Sequence, residues 1–73
     1  MGNDHDDDFR AGRALPGVTF AHDDLVEITG GEHAGMTGSL IGVASIGDDP
    51  VLVVEIDSGF EVEVPQSLLR RAD

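Results

Sequence analysis

Asp24-Leu25-Val26-Glu27-Ile28-Thr29-Gly30-Gly31-Glu32-His33-Ala34-Gly35-Met36-Thr37-Gly38-Ser39-Leu40 carries the pattern that decides the fold. From Leu25 to Thr29 the side chains alternate, with Val26 and Ile28 on one face and Leu25, Glu27 and Thr29 on the other. That is the period of a half-buried strand. Gly30, Gly31, Gly35 and Gly38 follow, with Gly42 beyond them. Backbone this free suits a turn and a sharply bent return strand, and argues against a helix.

Working towards the C-terminus, a second strand is expected from about Thr37 to Ala44, with Leu40 inward and Ile41 and Val43 outward if alternation holds. Ile46-Gly47-Asp48-Asp49-Pro50 breaks it, because proline cannot donate to a ladder and aspartate favours turns. In Val51 to Ile56 an outward Glu55 places Leu52, Val54 and Ile56 inward and leaves Val51 and Val53 on the outer face. Asp57-Ser58-Gly59 signals a tight hairpin, and Phe60, Val62 and Val64 then alternate inward against Glu61 and Glu63. Pro65 stops that strand, and Gln66-Ser67-Leu68-Leu69 suits one short helical turn closing a barrel end. The expected fold is all-β, a small barrel of four to five short antiparallel strands, because closure removes edges that so small a protein cannot cover.

Working towards the N-terminus, Pro16-Gly17 marks a turn in a lead-in whose anchors are Leu15 and Phe20. Residues 1–13 contain Asp4, Asp6, Asp7 and Asp8 around His5, with Phe9 as the one large apolar side chain after Met1. They read as a disordered acidic arm preceding a barrel domain at 14–73.

The 73 residues carry 15 acids against four arginines and no lysine, a formal net charge of −11. No cation lies between Arg13 and Arg70, so residues 14–73 alone hold eleven acids against two arginines. Such a surface repels nucleic acid and anionic membrane and attracts basic proteins. With no cysteine, disulfides, thiolate metal sites and a thiol nucleophile are excluded, and a reducing cytoplasm is the expected compartment. No apolar run approaches the roughly 20 residues needed to span a bilayer, and no basic region followed by an apolar one marks a secretion signal.

The segment from Asp24 to Leu40 resembles the KOW motif of SH3-like barrels, a family found in ribosomal proteins and transcription elongation factors, and the likeness extends over residues 24–43. Gly35 matches the central glycine, Gly38 the later one, and Val26, Ile28 and Leu40 the core positions. The ending at 60–69, with Val62-Glu63-Val64-Pro65 leading to Leu68, is similar to the last strand and short turn of those barrels. The resemblance implies an SH3-like fold, with Gly31, Gly35 and Gly38 as its turn and fold residues, and RNA or ribosome binding. The chemistry departs from it. Glu32, His33 and Ala34 stand where RNA-binding loops of that family offer lysine or arginine, and there is no tryptophan or tyrosine to stack a base or line a proline-peptide groove.

No serine occupies a nucleophile elbow, and the glycines lack phosphate-loop spacing. His22 beside Asp23 and Asp24, and His33 beside Glu32, have the composition of a base or a pH-sensitive contact, but equally that of loop residues in an acidic field. Asp4 to Asp8 fail the calcium-loop pattern, with Phe9 and Leu15 where glycine and glutamate are needed. The expectation is therefore a non-enzymatic module with no cofactor or metal. It binds a basic protein through an acidic rim of Glu55, Glu61 and Glu63 beside Val51 and Val53. The alternative is a KOW-type RNA-binding or ribosome-associated protein using Arg10, Arg13, Arg70 and Arg71. Outer-face Leu25, Ile41, Val43, Val51 and Val53 also leave room for self-association, unless Leu15, Val18 and Phe20 cover them.

Overall fold

The computed structural model describes residues 4–13 and 15–72, side chains of 4–6 excepted. After a helix α1 (Asp4–Arg10) come five strands: β1 (Leu25–Ile28), β2 (Thr37–Ser45), β3 (Val51–Asp57), β4 (Phe60–Pro65) and β5 (Leu69–Arg71), with a 3-10 turn at Gln66–Leu68. The sheet order is β4-β3-β2-β1-β5 and every pairing is antiparallel. This is the small all-β barrel architecture expected, and the helical turn after Pro65 is in place.

Nine-residue β2 makes one sheet behave as two layers. It pairs with β1 through Thr37–Ser39 and with β3 through Ser39–Ser45. The crossing is close at Gly38, where a Cβ would meet the Glu55 carbonyl oxygen at 2.4 Å and Val54 Cγ1 at 2.8 Å. Only glycine leaves room for the two strands there. Gly31 and Gly35 serve differently, holding φ at +82° and +91° in the β1–β2 turn. The Gly35 N–H donates to Ile28 O at 2.7 Å and the Ile28 N–H to Met36 O at 2.8 Å, which closes that turn.

Val26, Ile28, Leu40, Leu52, Val54 and Val64 fill the interior as the alternation predicts, with Leu69 from β5. Val43 does not behave as predicted: it is buried rather than outward. A register shift between Leu40 and Gly42 inserts an extra residue, so Leu40 and Val43 both turn inward across three positions. Phe60 is the opposite correction. It was expected in the core and is 52% exposed, because the hairpin places it beyond the end of the filled interior. Ile56, also expected inward, is half-buried beside the register shift between Glu55 and Asp57.

The N-terminal segment departs most from expectation. Instead of a disordered arm, Asp4–Arg10 is helical and Phe9 is 2% exposed within the same cluster as the barrel core. Leu15 enters that core, and Val18 and Phe20 pack against it. Gln66 fastens the lead-in on both sides. Its Oε1 accepts from the Thr19 N–H at 2.9 Å and its Nε2 donates to Gly17 O at 2.8 Å. The lead-in thus seals the core. Asp49 anchors the neighbouring residue, accepting from the Ser67 N–H at 2.9 Å and the Ser67 hydroxyl at 2.6 Å.

Candidate partner-binding face

The β3–β4 ladder aligns Val51 with Pro65, Val53 with Glu63 and Glu55 with Glu61. These positions share parity and therefore one sheet face. The acidic residues and valines singled out from sequence are thus brought together. Glu61 and Glu63 are exposed, whereas Glu55, Val51 and Val53 are half-buried, so the valines are not an open apolar patch.

Directly opposed residues place their Cβ atoms about 4.5–5.5 Å apart, and like charges in such a pair repel. Glu55 and Glu61 are in that relation. On the other side, β2 sets Ser39 against Glu55 and Gly42 against Val53, so no cation intervenes. Glu55 finds partial compensation in the turn, accepting from the Gly59 N–H at 3.4 Å. Among the described residues Glu61 and Glu63 take part in no ion pair.

The arginines lie elsewhere. Arg70 on β5 reaches Glu27 on β1, Nε to Oε1 2.7 Å. Arg71 contacts Asp24 at 3.2 Å and lies 5.6 Å from the centre of the Phe20 ring. Arg13 pairs with Asp8 at 2.8 Å. Asp24 also accepts from the Ala21 N–H at 2.9 Å, fixing a turn in which Asp23 takes φ of +72°, a region aspartate tolerates. Positive charge is therefore paired off at the β1–β5 edge and beside α1, and negative charge is left uncompensated on β3 and β4.

At the barrel end near the β3–β4 hairpin, Met36 and Phe60 stand 47% and 52% exposed. With Ile56 and Asp57 they line a hollow of about 460 Å³. A second hollow, of about 250 Å³, lies between β4 and the β1–β2 turn over Ile28, Val64 and Leu68, with Glu63 and His33 at its rim. His33 meets Phe60 edge-on, ring centres 6.3 Å apart. His22 likewise meets Phe9 at 5.9 Å and lies 3.4 Å from Asp23. Both histidines are thus ring-packing residues. Met36 and Phe60 escaped sequence reasoning as surface groups. The one available signal was that Phe60 directly follows the Asp57-Ser58-Gly59 turn, where a strand is leaving the core.

Among the described residues no three histidine or carboxylate groups gather as a metal site, and no helix is long and apolar enough to cross a membrane. The acidic run at Asp4-His5-Asp6 lies outside the described side chains. No protein-family model, curated protein or solved structure matches this chain.

Proposed function

We propose that the chain is a non-enzymatic cytoplasmic interaction module that binds a basic protein through the β3–β4 face. One observation carries this reading: Glu55 and Glu61 oppose each other with Glu63 alongside, and among the described residues no side chain pairs with Glu61 or Glu63. Such an arrangement costs the isolated fold some repulsion, and a cationic partner removes it. The half-buried Val51 and Val53 give the face an apolar floor on which a partner's aliphatic stems can lie.

The RNA-binding alternative, which carries the KOW likeness, has less support. Arg13, Arg70 and Arg71, three of the four cations it needs, are each engaged by a carboxylate. A phosphate chain would have to displace those acids while approaching a body of the same sign.

The test is a binding titration against poly-lysine and against mixed-sequence RNA at rising salt. Poly-lysine should bind, weaken with salt, and lose most of its affinity when Glu55, Glu61 and Glu63 are together changed to glutamine. Binding indifferent to that triple change, or tight RNA binding lost on removing the arginines, would overturn the proposal.

A further inference from the structure

We infer that the partner is received as a strand: an extended basic segment of another protein adds to the free edge of β4 and places its side chains in the two hollows flanking that edge. The inference rests on the preceding reading and specifies how and where such a partner is held.

The first support is topological. Among the described residues β4 ends the sheet and pairs with β3 alone, while β5 pairs with β1. Among the described residues no backbone bond joins β4 to the β1–β2 turn or to β5 across the barrel's seam. An antiparallel strand with one neighbour has a row of N–H and C=O groups facing away from it, ready to template another chain.

The second support is shape. His33 lines the hollow over Ile28, Val64 and Leu68, Phe60 lines the hollow of Met36 and Ile56, and the two rings meet edge-on. An added strand points successive side chains to opposite faces, so its alternate residues can enter pockets while its backbone is held. The Met36–Phe60 hollow fits an aliphatic or aromatic residue.

Charge selects the occupant. Proteins blunt open edges with charged residues, and β4 carries exposed Glu61 and Glu63, Glu63 also lining the hollow over Ile28, Val64 and Leu68. A second copy of β4 would align acid with acid and is rejected. A strand carrying lysine or arginine at alternate positions meets opposite charge instead.

The test uses the full chain and a synthetic peptide of about seven residues alternating lysine with valine, matched to a strand's usual length. Backbone amide NMR should show shifts concentrated at residues 60–64 and at His33 and Met36. The same peptide N-methylated at alternate amides keeps its charge and side chains but loses main-chain donors, and should bind about tenfold more weakly. The exposed Phe60→Ala variant, which leaves the interior intact, should also bind more weakly. Salt-sensitive binding that ignores N-methylation and shifts only the Val51, Val53 and Glu55 face overturns the strand inference and leaves the acidic-face reading standing. Failure of any lysine-containing peptide to bind at low salt overturns both.

Discussion

Replacing Gly38 by alanine should be the most damaging single-methyl change in the barrel. Its Cβ would lie 2.4 Å from the Glu55 carbonyl oxygen and 2.9 Å from the carbonyl carbon. Close carbon–oxygen approaches between strands settle at about 3.3–3.6 Å, so β2 and β3 must separate by about 1 Å. No rotamer change relieves a contact with backbone. Overpacking costs about 1–3 kcal/mol, and the ladder at Ser39–Glu55 and Leu40–Val54 loosens with it at about 1 kcal/mol per hydrogen bond. The expected loss is about 3–5 kcal/mol. A domain of 73 residues has about 4–11 kcal/mol in all. With no tryptophan or tyrosine to report by fluorescence, urea unfolding is followed by far-UV circular dichroism. At a slope of about 1 kcal/mol per molar urea the midpoint should fall by about 3 M or more. Gly35→Ala is the control: φ is +91° there but nothing lies within 4 Å, so it should lose only about 1–2 kcal/mol of torsional strain. If Gly38→Ala loses no more than Gly35→Ala, the steric account of the β2–β3 crossing is wrong.

Phe9→Ala should destabilise the protein by about 3 kcal/mol or more in a thermal melt, as deletion of a buried ring does, and an unchanged melt would mean that α1 does not hold the core. Glu61→Lys should stabilise the free protein by about 0.5–1 kcal/mol in urea by turning a repulsive pair with Glu55 into an attractive one, while weakening capture of poly-lysine. Asp49→Ala should lose about 1 kcal/mol through its two bonds to Ser67, and combining it with Ser67→Ala should add little, as a double-mutant cycle would show.

The parts legible in the sequence were those in which one residue fixes the parity of its neighbours. Val26 and Ile28, Leu52 and Val54, and the outward Glu61 and Glu63 each follow from period two within an uninterrupted strand. The acidic side of the candidate site was legible for the same reason, since a tight hairpin at Asp57-Ser58-Gly59 brings Glu55 and Glu61 together. Val43 was not, because the register shift after Leu40 changes parity and an inserted residue has no distinctive composition beyond the nearby Gly42. Alternation assigned Phe60 to the inner side correctly in parity, but parity says nothing about how far along a strand the interior is filled. Phe9 stood alone among aspartates, and one apolar residue creates no period from which docking could be read. The Met36 hollow depends on the meeting of two turns distant in sequence, which no local pattern records.

The division of arginines from glutamates across the strand order has a kinetic consequence. With Arg70 and Arg71 paired to Glu27 and Asp24 at one edge and, among the described residues, Glu61 and Glu63 in no ion pair at the other, the β4 side of the sheet is more negative than the β5 side, which gives the molecule an electric dipole. An approaching cationic body turns it before contact, so that encounters begin with β4 foremost. Ionic strength would then govern how often a first collision is productive more than how long the resulting complex lasts.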